Sequence, residues 1–278
     1  MGCTINDLAA FRAWLLQEER SAATVEKYLR DVRQFAAWLD GAALDKAACA
    51  EWKDRLAAAG YGPGTVNGKL SALNSFLRFL GREDCRVRFL RRQRRLFREE
   101  GRILTAAEYG RLLSAARGAG KERLALLMET VCAAGIRVSE VRYITVEAAR
   151  AGRAEVALKG KVRTILLPEK LCRKLCRYAR ECRIASDEIF LTRGGASLSR
   201  KQIWAEMKAL CRRAGVQATK VFPHNLRHLF ARTFYRATRD LVRLADVLGH
   251  SSVETTRIYL ISTGAEHAKT INSLRLVS

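Results

Sequence analysis

Long apolar runs are missing from this sequence. No stretch comes near the roughly 18 uninterrupted apolar residues that a membrane-spanning helix needs, so no membrane partner is expected. No basic segment leads into an apolar run at Met1-Gly2-Cys3-Thr4-Ile5-Asn6-Asp7, so no signal peptide is read there. The eight cysteines contain no Cys-x-x-Cys pair, which argues against a zinc ribbon and for scattered thiols in a reducing, cytoplasmic setting. Cys172 and Cys176, four apart on one expected helix, raise a ligand pair as an alternative, but a half-buried thiol face is the reading taken. No metal or cofactor is expected. Acidic residues are scarce as well: 28 Asp+Glu stand against 51 Lys+Arg, for a net charge of +23. There is no acidic cluster of the kind a two-metal nuclease requires. Internal repeats and low-complexity tracts are also absent.

What remains is a chain of 278 residues, 49% hydrophobic, enough for a sizeable core and for two domains. The basic excess points to a polyanionic partner, since dense Lys/Arg surfaces neutralise phosphates. The charge is uneven. Residues 1–102 carry 19 basic and 13 acidic side chains, whereas the remainder carries 32 and 15. The second part is therefore the stronger candidate for gripping phosphate.

The pattern predicts a mainly α chain with a small β-sheet: a helical domain over 1–82, a basic linker over 83–102, and a mixed α+β domain over 103–278. Leu8, Phe11, Leu15 and Leu16 give a first helical face, with Trp14 beside it. Ser21 is the expected N-cap of a second helix through Val25, Tyr28, Leu29, Val32, Phe35, Ala36 and Leu39. A third helix holds Ala48, Trp52 and Leu56, and a fourth runs from Thr65 to Leu80 after the punctuation Gly60-Tyr61-Gly62-Pro63-Gly64. Arg86, Arg88, Arg91, Arg92, Arg94, Arg95 and Arg98 then crowd together with no acid among residues 86 to 98. They are read as a linker contacting DNA backbone, against the alternative of a solvated charge run. Thr105 followed by Glu108 marks a capped helix, and another runs through Leu124 to Ala134, ending at Gly135. Two short strands, 154–158 and 163–167, flank a turn Lys159-Gly160-Lys161-Val162. Helices return around 170–183, 199–213, 226–237, 241–248 and 252–261.

The chemistry gathers late. All four histidines (His224, His228, His250, His267) fall in the last 55 residues. In Phe222-Pro223-His224-Asn225-Leu226-Arg227-His228, Pro223 suits a helix entry, and His224 and Arg227, three apart, share a face. In Leu248-Gly249-His250-Ser251, Gly249 suits a helix C-cap and Ser251 or Ser252 an N-cap. Tyr259 follows nine residues after His250. Upstream, Arg137 and Glu140 lie three apart at a helix start. Paired arginines match a phosphodiester transition state, whose charge spreads over nonbridging oxygens that guanidinium forks fit.

Arg137, Lys159, His224, Arg227, His250 and Tyr259, in that order and context, resemble the tyrosine recombinase (phage integrase) family over nearly the whole chain. The resemblance implies a helical core-binding (SAM-like) domain, a linker and a catalytic domain. It implies an enzyme that cleaves and rejoins DNA through a 3′-phosphotyrosine without metal, ATP or other cofactor. By that resemblance Tyr259 is the nucleophile and Arg137 and Arg227 clamp the scissile phosphate. Lys159 would protonate the leaving 5′ oxygen, and His224 would shuttle the tyrosine proton. His250 would hydrogen-bond a nonbridging oxygen, and Glu140 would orient its neighbours. Tyr235, on an apolar helix side, is the rival tyrosine and is read as core. His228 is read as structural and His267 as a surface residue.

Where many relatives carry a Gly-Lys-Gly-x-Lys-x-Arg turn, this chain has Leu158-Lys159-Gly160-Lys161-Val162-Arg163, one residue shorter. Lys159 is the preferred active lysine and Lys161 the alternative. The implied partner is double-stranded DNA with an inverted-repeat core site, engaged by a homotetramer. Integration or excision of a mobile element is the favoured role. Xer-type dimer resolution, relaxation like that of a type IB topoisomerase, and a catalytically silent DNA-binding protein stand as alternatives. Beginning directly with the helical domain, the chain resembles Xer-type and simple integrases. Ala268, Ile271, Leu274 and Val277 recur every three residues after Gly264, which would let a tail helix dock either on its own domain or on a neighbouring subunit.

Overall fold

The structure is a computed structural model that describes residues 5–91, 100–158, 161–250, 252–260 and 272–273. It divides into two compact units, residues 1–94 and 95–278. Among the described residues no helix is long and apolar enough to cross a membrane.

Among its described residues the first unit has four α-helices, α1 (Ile5–Gln17), α2 (Ala22–Leu39), α3 (Lys46–Ala58) and α4 (Pro63–Phe79). Ser21 caps α2 as expected, accepting from the Thr24 amide, and Asp45 does the same for α3. Two differences from the sequence reading have local causes. The fourth helix starts at Pro63, because a first-turn proline sacrifices no hydrogen bond and its fixed φ suits the helix. Leu16 is exposed, and Trp14 takes the inward role, its ring stacked 5.9 Å from that of Phe11.

The first unit extends beyond residue 82. Cys85 and Val87 are buried between exposed Arg86 and Arg88, the period-2 alternation of an extended segment. Two asparagines of α4, seven residues apart on one face, hold that segment in place. Asn74 accepts from the Val87 amide (3.0 Å) and donates to its carbonyl (2.9 Å), and Asn67 does the same with Leu90 (2.8 and 2.9 Å). Each side-chain amide thus replaces a strand neighbour. Residues 83–90 are therefore anchored to the first unit. The remaining expected linker arginines Arg92, Arg94, Arg95 and Arg98 lie outside the described residues.

The second unit is built around α6 (Glu122–Ala134), whose buried residues, Leu124 to Met128, Thr130, Val131 and Ala134, leave little of it facing water. Against it pack α5 (Ala106–Arg117), started by the expected Thr105–Glu108 capping box, and α8 (Glu169–Glu181). Between α6 and α8 come a 3₁₀ turn (Val138–Tyr143), a short helix α7 (Val146–Ala151) that the pattern does not reveal, and an antiparallel hairpin. The hairpin pairs β1 (Arg153–Leu158) with β2 (Lys161–Leu166), Leu158 opposite Lys161. The second strand therefore starts at Lys161, two residues before the expected 163, while Lys159 and Gly160 lie outside the described residues.

Helices α9 (Arg200–Ala209), α10 (Cys211–Ala214), α11 (Pro223–Thr238), α12 (Leu241–Leu248) and α13 (Val253–Arg257) follow, the last running into a 3₁₀ turn, Ile258–Leu260. The expected helix over 226–237 begins three residues earlier, again at a proline. Cys172 and Cys176 are half-buried against the main core.

Replacing Asn74 with alanine leaves the Val87 amide and carbonyl without partners. We expect it to lower the stability of the first unit by about 1–3 kcal/mol. Urea unfolding followed by tryptophan fluorescence checks this, since Trp14, Trp38 and Trp52 all lie in that unit. An unchanged midpoint would show that the segment at Val87 is not held by Asn74.

Candidate active site

The site is assembled from segment ends. Pro223 occupies the first turn of α11, and the buried Asn225 fastens that turn by donating to the carbonyls of Lys220 (2.7 Å) and Arg102 (2.8 Å). With the start fixed, His224, Arg227 and His228 fall on one face at helical spacing, while Leu226 points into the core. From another direction, α6 ends at Gly135 with φ +60°. A Cβ there would lie 2.4 Å from the Phe230 ring, so no other residue fits without a shift. From a third, α12 ends at Leu248-Gly249. Ser252 then caps α13, which delivers Tyr259 on the 3₁₀ turn beyond it.

Arg227 sits where these ends meet and is 1% exposed. Its Nε donates to the Tyr259 hydroxyl (3.3 Å) and one terminal nitrogen donates to the Gly135 carbonyl (2.5 Å). The other donates to the Leu248 carbonyl (2.7 Å) and to His250 Nε2 (3.0 Å). A guanidinium has no acceptor, so Nε2 of His250 must be the unprotonated nitrogen. The proton of the neutral ring is then on Nδ1, which donates to Thr256 Oγ1 at 2.8 Å. Burial, followed by the charges of Arg227, Arg137, Arg163 and then His224, pushes the His250 pKa down to about 4. Both arguments make the imidazole neutral at pH 7.

Glu140 is almost wholly buried and faces three guanidiniums. It accepts from the Arg137 amide (2.7 Å) and from an Arg137 terminal nitrogen (2.9 Å), and lies 3.5 Å from Arg163 and 3.9 Å from Arg227. One carboxylate cannot balance three cations, so the pocket keeps a surplus of positive charge. Arg137 is the outward member, its side chain 41% exposed. Burial comes first among the causes that lower the pKa values of Arg227 and Arg163.

The structure therefore brings together five of the residues expected from sequence: Arg137, His224, Arg227, His250 and Tyr259, with Glu140 beneath them. Tyr259 is buried, its ring 5.5 Å from those of His224 and His250. Lys159 lies outside the described residues. Lys161 opens β2, but its side chain is likewise not described. Tyr235 is half-buried beside the small cluster that contains Tyr259. His228, read as structural, has its ring 4.3 Å from that of Tyr259. The sequence reading missed Thr256 and Arg163. Helical spacing, three residues before Tyr259, was the available signal for Thr256. For Arg163 the signal was strand alternation, which places it on the inward face with Ile165. The expected tail residues Gly264, His267, Ala268, Ile271, Leu274 and Val277 lie outside the described residues.

Residues 102–266 match the profile described as the phage integrase family, and residues 8–84 that of the phage integrase N-terminal SAM-like domain. Tyrosine recombinase XerD of Xanthomonas axonopodis pv. citri is 33% identical over 264 residues, 86% of each chain. Tyrosine recombinase XerA of Thermococcus kodakarensis is 30% identical over 268 residues, covering 93% of this chain and 91% of its own. The fold is similar to that of a lambda integrase dimer bound to a COC′ core site, with a TM-score of 0.74, 18% identity and coverage of 92% and 94%. The chain belongs to the phage integrase family, and its class is that of the site-specific tyrosine recombinases.

The depressed His250 pKa has a consequence for stability. Between about pH 4 and about pH 6.5 the unfolded chain binds the proton and the folded one does not, so the native advantage is full above that window and is lost as pH falls through it. We expect the melting temperature of wild type minus that of His250→Gln to shrink steadily from pH 7 to pH 4. A difference that stays constant with pH would place His250 in a solvated setting.

Proposed function

We propose that this recombinase breaks and rejoins duplex DNA with Tyr259 as nucleophile. The observation that carries the reading is the 3.3 Å hydrogen bond from Arg227 to the Tyr259 hydroxyl, inside a pocket where three guanidiniums share one carboxylate. Such a pocket lacks an anion, and a scissile phosphate supplies one. The Tyr259 oxygen attacks phosphorus, the bond from phosphorus to the 5′ oxygen breaks, and a 3′-phosphotyrosine and a free 5′ hydroxyl result. The phenol proton passes to His224, and Lys159 gives a proton to the leaving oxygen. Arg137 and Arg227 serve the nonbridging oxygens, His250 joins them once the arriving phosphate lets its Nε2 take up a proton and donate, and Glu140 orients the arginines. Rejoining is the reverse with a new 5′ hydroxyl, so no external energy source is needed.

The partner in this reading is DNA with an inverted-repeat core site, held by a tetramer and contacted by Arg86, Arg88, Arg91, Arg92, Arg94, Arg95 and Arg98. The lambda integrase tetramer bound to a Holliday junction offers a precedent on a similar fold. Integration or excision of a mobile element is the role we favour. The XerD and XerA relatives, matched over most of their length, support chromosome dimer resolution as a second reading. Selecting bound sites from random duplexes separates the two. Sites at both ends of a mobile segment fit the first, and a single chromosomal site fits the second.

A nicked suicide duplex should trap wild-type protein as a denaturation-resistant adduct, whereas Tyr259→Phe should bind the same duplex and form none. Equal trapping would remove Tyr259 as nucleophile. On that substrate Arg137→Ala should slow cleavage by about 10²–10³ while changing affinity little, the usual cost of losing one donor to a developing oxyanion. Parallel loss of binding and cleavage would make Arg137 a general DNA contact instead.

A further inference from the structure

Arg163 is a charged side chain where strand alternation calls for an apolar one. On β2, Val162 and Leu166 face solvent, each 74% exposed, while Ile165 is buried in the core and Arg163 lies on the same inward side. Its stem fills the space left by a glycine: a Cβ on Gly249 would lie 2.3 Å from Arg163 Cδ. One terminal nitrogen donates to the Leu248 carbonyl, which Arg227 also uses, and lies 3.5 Å from Glu140, which Arg137 also uses. Among the described residues the buried Nε and the other terminal nitrogen find no hydrogen-bond partner. Burial, with repulsion from Arg227 and Arg137 against the attraction of Glu140, holds its pKa down to about 10, so it is still charged at pH 7. A cation kept with two unsatisfied donors beside two other arginines does not optimise stability, and such a site asks for another explanation.

We propose that Arg163 is a positioning residue for strand transfer, joining β2 to the Leu248–Gly249–His250 turn so that His250 is held in its place. Its charge is directed to the Leu248 carbonyl and Glu140 rather than, in this reading, to the phosphate. It acts through the carbonyl of Leu248, two residues before His250, and through its own strand β2. The inference rests on the reading of the site given above.

The test uses the full chain and the nicked suicide duplex, with Arg163→Met, Arg163→Lys and the double variant Arg163→Met/His250→Gln. Arg163→Met should slow adduct formation by about 10- to 100-fold, as loss of a supporting contact does, while affinity stays within about threefold. The double variant should be no more than about threefold slower than the slower single variant, because both changes act on one turn. The His250 ring faces Arg227 and His224 on α11, Arg137, Arg163, Thr256 on α13 and Tyr259. Removing one of these cations should raise its NMR titration midpoint in Arg163→Met, and the charge kept in Arg163→Lys should hold it down. Cleavage by Arg163→Met within about threefold of wild type, or two effects that multiply in full, would overturn the proposal. Should Arg163→Met fail to fold, Arg163→Lys decides: slowed cleavage with normal affinity supports the role, and wild-type cleavage overturns it. An adduct from Tyr259→Phe would strike the underlying reading instead, independently of any Arg163 result.

Discussion

A guanidinium taken out of water loses strong hydration, and it remains charged only where oxygens or other acceptors replace that water. Arg227 meets this condition with the carbonyls at the ends of two helices, Gly135 after α6 and Leu248 at the end of α12. Those are the negative ends of helix dipoles, with carbonyls that have no partner inside their own helix. The cation satisfies them and they hold the cation. Around that mutual arrangement the remaining geometry follows: His250 accepts from the same guanidinium, Tyr259 is aligned by its Nε, and Glu140 lies close enough to offset part of the charge.

The arrangement explains two glycines without appeal to flexibility. Gly135 and Gly249 both have positive φ, which ends their helices and turns a terminal carbonyl towards Arg227. Each also leaves space that another side chain fills, the ring of Phe230 in one case and the stem of Arg163 in the other. A substitution at either site would therefore disturb backbone conformation and packing together. The neutral state of His250 has the same origin, since a ring crowded by arginines accepts a hydrogen bond more readily than it takes up a proton. An arriving phosphate would change that balance by adding the negative charge that the pocket lacks.

Thr105 with Glu108, Ser21 and the two helix-entry prolines are local signals, and the elements they begin stand where the sequence indicates, within a few residues. The mainly helical character and the small hairpin were legible for the same reason, because periodicity and capping act over a few neighbouring residues. That Arg137, His224, Arg227, His250 and Tyr259 belong together was legible because their order and context resemble those of a known family. The start of the second hairpin strand was not, since a shift of two residues leaves the alternation intact. Nor was the attachment of residues 83–90, which depends on two asparagines of α4 that resemble ordinary polar positions.

The sequence by itself determined the class of the protein, because residue types at fixed spacings on capped helices carry both fold and chemistry. It could not determine which groups share a partner. Arg163 and Leu248 are 85 residues apart, Arg227 and Gly135 are 92 apart, and no short-range pattern records either meeting. Only tertiary packing decided that one carboxylate would serve three arginines, that two arginines would share one carbonyl, and that His250 would be a neutral acceptor. Those properties depend on distance and burial, which arise when segments remote in the chain exclude water from the same small volume.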